Sequence, residues 1–504
     1  MSDFIPAKTG LSRVFVIDGR AAPDNVPEYF SCYRAQALGK PFGDVTDIEC
    51  PDPTRPGEYI KIGDYQTGEE RATITLEGRY AIDIRSRMLR MARNRCAVDV
   101  QLHFGDCNDL SDHNNFKKVL FLEDARLTSY NTEDLGSLQS ADEAAVNENV
   151  EISARHVYDI IPNTWTEKAA DLVTNEVVDV VFCDEVSCGD CDVDPSGGCD
   201  KVFAITKAAG GSPTTPPDVV YTLDGGTTWY AHDIDSMGAS DDPDGVACVK
   251  GYLVVVSNAT GSAHYADLDE FDEYGTDPDF TEVDTGFGSG EGEPNAIVSL
   301  DTKAFIAGND GYVYEMVTPS NGVTALEDGT ATISHLTAID ALSTKFVVAV
   351  GNDGAIVYSV DGVNFTLLTT PPVGVGVNLT CISIKSKDEW WVGTDGGDLY
   401  YTEDRGEHWT LKTFSGSGAG AVRDIVWATE SIMYVSHDTA TPVGRVFASY
   451  NGGYDFVAMP LGSAIMPAAD QFTALAACKA DPELVVAVGL ADDGSDGIIV
   501  IGAM

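Results

Sequence analysis

The chain has 504 residues and a formal charge of −49, with 43% hydrophobic and 22% charged residues, fifty glycines and twenty-two prolines. That length exceeds one ordinary core, recurrent apolar runs exclude a wholly disordered chain, and no run approaches the twenty apolar residues of a membrane span, so no membrane insertion is expected. The charge is uneven: residues 1–165 hold 18 Lys and Arg against 27 Asp and Glu, whereas residues 166–504 hold 13 against 53, a surface that repels nucleic acid and anionic lipid.

Met1–Pro6 has no basic stretch leading into an apolar segment and does not read as a signal peptide. Val14–Gly19 reads as a strand into a turn, residues 51–56 as a Pro-rich loop, and Ala72–Gly78 as an alternating, half-buried strand. Residues 84–97 read as a helix carrying Arg85, Arg87, Arg90, Arg93 and Arg95 beside Ile84, Met88, Leu89 and Met91. Its arginines are assembly-interface candidates, suited to an acidic neighbouring subunit, or else a solvated face. Nucleic-acid contact is disfavoured, because no aromatics interleave with the cations. Strands follow at Val98–Phe104, Lys118–Glu123, Ala125–Tyr130 and Val150–Tyr158.

This order, and above all Lys118–Tyr130 continuing through Asp134–Leu138 to the Asn147–Val150 strand, resembles the major tail tube proteins of long-tailed, siphovirus-like bacteriophages. The resemblance implies a β-sandwich with one flanking helix over residues 1–165. It also implies self-association into stacked hexameric rings, other tail proteins as partners, and phage DNA passing through the lumen without specific binding. The location implied is the virion tail, assembled in the host cytoplasm.

The next segment, 183–200, gathers Cys183, Cys188, Cys191 and Cys199 with six acidic residues. Four readings stay open: local disulfides or free thiols, a structural zinc site, a calcium loop over Asp190-x-Asp192-x-Asp194-x-Ser196, and an iron–sulfur centre. The other seven cysteines are scattered singly, and an odd total without a signal peptide argues against an exported disulfide scaffold.

From there to the C-terminus a strand of form apolar-apolar-x-apolar-small recurs seven times, ending at residues 206, 257, 308, 351, 393, 436 and 489. Spacings of 42 to 53 residues match propeller blades. Turns such as Asn309-Asp310-Gly311 and Asn352-Asp353-Gly354 lead into a second strand, as hairpins that need positive φ do. The predicted architecture is all-β in the main, with residues 166–504 a seven-bladed β-propeller. Gly497–Gly502 needs an outer strand from earlier in the chain, either Val177–Phe182 or the stretch around Trp165.

Four further turns carry Asp224, Gly226 and Trp229; Asp361 and Phe365; Asp404, Gly406 and Trp409; and Asn451, Gly453 and Phe456. They resemble the Asp-box, or BNR repeat, of sialidase-like propellers, a fold staple whose carboxylate accepts the N–H groups of its own turn. A sialidase needs three convergent arginines. Residues 166–504 contain only Arg405, Arg423 and Arg445, with Arg405 inside an Asp-box. No catalytic residue is assigned and no enzyme is expected. His264, His335, His408 and His437 read as satisfied or exposed histidines. The function expected is a virion structural protein whose propeller faces outward and binds a host-surface glycan. The alternative is a non-catalytic propeller binding module, a lectin, an adhesin or an assembly factor.

Overall fold

In a computed structural model the chain divides into two compact units, Met1–Pro162 and Asn163–Met504. The structure describes the nine strands of the first unit named below and most of Trp165–Gly502. Outside it lie, among others, residues 80–97, 184–198, 209–215, 413–419, 439–443, 461–470, 479–483 and 492–495. The arginine segment, with Arg85, Arg87, Arg90, Arg93 and Arg95, therefore lies outside the described residues, as do Cys188, Cys191, the Asp190–Ser196 stretch and Asn451.

The first unit contains β1 (Ser12–Ile17), β2 (Glu28–Gly39), β3 (Asp44–Pro51), β4 (Tyr59–Thr67), β5 (Ala72–Arg79), β6 (Val98–Gly105), β7 (Phe116–Thr132), β8 (Asn147–Ala154) and β9 (His156–Ile160). Seven of them form one antiparallel sheet in the order β6-β1-β2-β5-β8-β7-β9, and β6 also pairs with β7, so the sheet closes on itself. The expectation of a two-sheet sandwich is thus corrected to a barrel. The 17-residue β7 makes the closure possible. One of its edges pairs with β6, while the other pairs with β8 and then β9 in continuous register (Arg126 with Ser153, Glu123 with His156). Ile74, Val100, Leu102, Leu122, Leu127, Val150 and Ile152 are buried, as alternation in a barrel wall requires. β3 and β4 pair with each other as a separate two-stranded ribbon.

The described strands of the second unit form seven four-stranded antiparallel sheets. Their first, inner strands are Val177–Phe182, Gly245–Val249, Pro294–Leu300, Leu336–Ser343, Leu379–Ile384, Val422–Trp427 and Gln471–Ala477, which number the sheets 1 to 7. Each inner strand packs beside those of the two adjacent sheets, and the seventh returns to the first, which is the closed ring of a β-propeller. The seven repeated segments are the second strands, from Val202–Thr206 to Val485–Leu490. They are sandwiched between neighbouring sheets and buried on both faces, which is why they read as continuous apolar runs. Thr166–Lys168 supplies the outer strand beside Gly497–Gly502 and completes sheet 7, whereas Val177–Phe182 begins sheet 1. Trp165 is buried, and a Cβ on Gly502 would meet its indole at 2.6 Å.

Two disulfides hold sheet 1 on either side. Cys199, just before its second strand, joins Cys478 after the inner strand of sheet 7, with Cα atoms 5.7 Å apart at a sequence separation of 279. Cys183, at the end of its inner strand, joins Cys248 in the inner strand of sheet 2, with Cα atoms 5.6 Å apart. Two of the four clustered thiols thus pair with cysteines that look isolated in the sequence, and the other two, Cys188 and Cys191, lie outside the described residues.

Closing a loop of this length constrains the unfolded chain by about 5 kcal/mol in the chain-entropy limit. The double substitution Cys199→Ser/Cys478→Ser should therefore lower the melting temperature by about 5–10 °C. Non-reducing peptide mapping of the wild-type chain should recover the linked Cys199 and Cys478 peptides. Free, alkylatable thiols at both positions would reject the staple.

Candidate functional site

The two ends of the ring are built differently. At one end lie the Asp turns, between third and outer strands. Asp224 Oδ1 accepts Thr227 N–H (3.0 Å), Thr228 N–H (2.8 Å) and the Thr222 hydroxyl (2.8 Å). Asp361 accepts Val363 and Asn364 N–H at 2.9 and 2.8 Å, and Asp404 accepts His408 N–H at 2.8 Å. These turn hydrogen bonds, first among them the N–H of Asn364 and of His408, hold the Asp361 and Asp404 carboxyls well below the usual range.

The aromatic of each turn packs toward the preceding sheet. Trp229 joins the cluster containing Ile501, Phe365 that containing Phe305, Trp409 that containing Phe346, and Phe456 lies edge-on to Trp391. A Cβ on Gly226 (φ +87°) would sit 2.2 Å from Ile501, one on Gly406 2.7 Å from Leu368, and one on Gly453 2.4 Å from Trp391, so these glycines allow the close approach. Asp404, Glu407 and His408 bring one donor each within 4.8 Å of one another. The His408 ring already bonds Asp404 Oδ2 at 2.6 Å, so the turn itself accounts for this grouping.

The other end, where the inner strands begin, carries a polar belt that crosses every seam between sheets. Six inner strands begin with a bulge, and in four of them the skipped residue reaches the next sheet. Asn295 Nδ2 donates to Leu336 O (2.8 Å), Thr337 Oγ1 to Leu379 O (2.6 Å), Thr380 Oγ1 to Val422 O, and Thr473 Oγ1 to Val177 O (2.6 Å). Asn258 Nδ2 donates to Asn295 Oδ1 (2.7 Å) between sheets 2 and 3.

Aspartates serve the remaining seams and reinforce the one between sheets 4 and 5. Asp179 accepts Val180 N–H (2.8 Å) with one oxygen and Val246 N–H of sheet 2 (2.9 Å) with the other. Asp340 does the same with Ala341 and with Ile384 of sheet 5, and Asp424 with Ile425 and with Leu475 of sheet 7. Burial pushes Asp179 up to about 6 and Asp424 up to about 7. For Asp424 the negative charges of Asp179 and Asp340 add to the effect, so the three carboxylates share one electrostatic environment around the axis.

The three arginines of this unit are held separately. Arg405 pairs with Asp388 at 2.6 Å at the Asp-turn end, Arg423 pairs with Asp438 at 2.7 Å at the belt end, and Arg445 lies in the third strand of sheet 6. His264 is buried between Ser236 Oγ (2.8 Å) and Ser262 Oγ (3.0 Å), and burial pushes its imidazole down to about 4, leaving it neutral at physiological pH. His335 lies beside Asp310, and His437 Nε2 lies 3.1 Å from Gly397 O.

Sequence reading overlooked the belt. Its signal is an apolar-Thr-small-apolar start upstream of the second strands of sheets 4, 5 and 7, as in Leu336-Thr337-Ala338-Ile339 and Leu379-Thr380-Cys381-Ile382.

No protein-family model matches the sequence, and no curated protein does. Solved structures resemble the chain in part. YCF48 bound to D1 peptide is 14% identical, with a TM-score of 0.49 over 68% of this chain and 94% of that one. YCF48 from Cyanidioschyzon merolae is also 14% identical, with a TM-score of 0.48 over 67% of this chain and 98% of that one. The WD40 β-propeller domain of Doa1 is 12% identical, with a TM-score of 0.45 over 67% of this chain and 95% of that one.

The carboxyls in the belt make stability depend on pH. Asp424 and Asp179 keep their protons in the folded chain to higher pH than the ordinary carboxylate value near 4. The unfolded chain releases them first, so their contribution to stability falls as pH rises from about 4 to about 7 and is flat above that. In Asp424→Asn the loss of stability between pH 5 and pH 8, measured by denaturant titration, should be smaller than in the wild type by about 2 kcal/mol. An unchanged pH profile would place Asp424 in open solvent.

Proposed function

We propose that the chain is a non-catalytic binding and assembly module, a seven-bladed Asp-box propeller whose working surface is the rim at the belt end. The observation that carries this reading is the belt: a polar bond crosses each seam and fixes the segments that display the rim, a preorganisation that favours binding. The Asp-turn end, by contrast, spends its polar groups on its own turns. Hydrogen exchange on the intact chain tests this. The amides of Asn352, Asp353, Gly376 and Val377 are bonded within the rim and should exchange far more slowly than free peptide. Free-peptide rates there would remove the support for a preformed surface.

A second and finer reading is the phage tail tube subunit: stacked hexameric rings around a DNA channel, with the propeller outward toward a host-surface glycan or other tail proteins. It is favoured by the β3–β4 ribbon, since a two-stranded ribbon is marginal alone and is stabilised by a further strand or surface. Assembly in a host cytoplasm would keep thiols reduced, so on this reading the staples at Cys183–Cys248 and Cys199–Cys478 close only after the virion leaves the cell. Negative-stain microscopy and light scattering of the full chain should show rings or tubes. Discrete monomers at all concentrations would reject the tail tube and leave the binding module standing.

A further inference from the structure

We propose that the rim over sheets 3 to 5 is a docking surface for a protein segment that carries both cationic and large apolar side chains. The proposal rests on the binding-module reading and names the chemistry of its partner. Two aliphatic side chains stand out into solvent there: Val375 is 90% exposed and Ile333 81%.

Neither sits on a loose segment. Gly374–Val377 is a tight turn closed by Val377 N–H to Gly374 O (3.3 Å), with Gly376 at φ +94° and Val375 at its corner. Gly376 N–H also bonds Asp353 Oδ1 (2.9 Å), and Asn378 Oδ1 accepts Asp353 N–H (3.2 Å). Ile333 precedes His335, whose Nδ1 accepts Asp310 N–H (3.2 Å) and whose carbonyl accepts Asn352 N–H (2.9 Å). These bonds link the Ile333 and Val375 segments through the Asn352–Asp353 turn, so both apolar side chains flank an exposed carboxylate. Asp310 and Asp353 both take left-handed backbone (φ 53° and 56°), which fixes where their side chains leave the chain. Asp395, bonded to Asn378 at 2.9 Å, extends the acidic edge.

Two branched aliphatics held in water on rigid turns beside carboxylates form a surface with apolar anchors and an anionic surround. The excess of 53 acidic over 13 basic residues in 166–504 selects a cationic partner and rejects nucleic acid and sulfated or sialylated glycans. Val and Ile also lack the flat aromatic face on which a neutral sugar stacks.

The test uses the full chain and a fluorescently labelled synthetic peptide of alternating lysine and leucine, read by anisotropy. Two control peptides replace leucine by serine or lysine by glutamate. The wild type should bind the lysine–leucine peptide and not the glutamate–leucine peptide. Affinity should fall about tenfold or more for the lysine–serine peptide, and equally in the charge-neutral double substitution Ile333→Ser/Val375→Ser, whose melting temperature should match the wild type because both side chains are exposed. Equal binding of the lysine–serine peptide, or undiminished binding by the double variant, would reduce the effect to net charge and overturn the proposal, as would no binding at all. A neutral-glycan array signal lost in the double variant, without peptide binding, would overturn the partner class while preserving the binding module. Free exchange of the rim amides would instead remove the module itself.

Discussion

Closing seven sheets into a ring demands that every seam be satisfied, because one open seam exposes two apolar sheet faces to water. Apolar packing supplies most of the adhesion, through clusters shared by adjacent sheets, such as those of Phe305 with Val347 and Trp391 with Val435. It is non-directional and does not by itself fix how far one sheet slides on the next. The belt does. A hydroxyl, an amide or a carboxylate from one sheet meets a defined main-chain carbonyl or N–H of the next, and between sheets 2 and 3 a second side-chain amide. Directional bonds of this kind, individually worth about 1 kcal/mol, set register more than they set stability.

The aspartates of the belt do this at a cost that the threonines avoid. Thr337, Thr380 and Thr473 satisfy a carbonyl with a neutral hydroxyl. Asp179, Asp340 and Asp424 bridge two N–H groups each, and the charges of the first two bear on Asp424, so part of that charge is suppressed by protonation. One disulfide stands beside the closure of the ring. Sheet 7 draws its outer strand from Thr166–Lys168 and its other three from Gln471–Gly502, so the ring closes inside this sheet by strand pairing between segments far apart in sequence, while Thr166–Lys168 runs on into sheet 1. Cys199–Cys478 ties sheet 1 to sheet 7.

Much of the propeller was legible in the sequence. The second strands are buried on both faces, so their apolar runs and the Asn-Asp-Gly turns recur visibly, as do Asp224, Asp361 and Asp404 in self-contained turns. What depends on partners far along the chain was not legible. Cys248 and Cys478 look solitary until folding brings them beside Cys183 and Cys199, and no local spacing marks Thr473 as the donor to Val177. In the first unit β1, β5, β6, β7 and the β8–β9 stretch were read from their alternation, but β2, β3, β4 and the closure of the sheet were not. Whether alternating strands make two sheets or one barrel depends on β7 pairing along both of its edges, and alternation reads the same in either case.

The charge of the second unit and its apolar rim act at different ranges. An excess of acidic side chains this large attracts any cation from solution, but at physiological salt that attraction is screened beyond about 8 Å. It raises encounter rates without choosing among basic partners. Discrimination must come from contacts that form only on close approach, and on this face Ile333 and Val375, fixed by turns bonded to Asp310 and Asp353, are the groups placed to make them. A surface of carboxylates alone would bind every basic segment alike, and one of aliphatics alone would favour self-association. Together they require of the occupant both a positive charge and an apolar side chain in register with the turns.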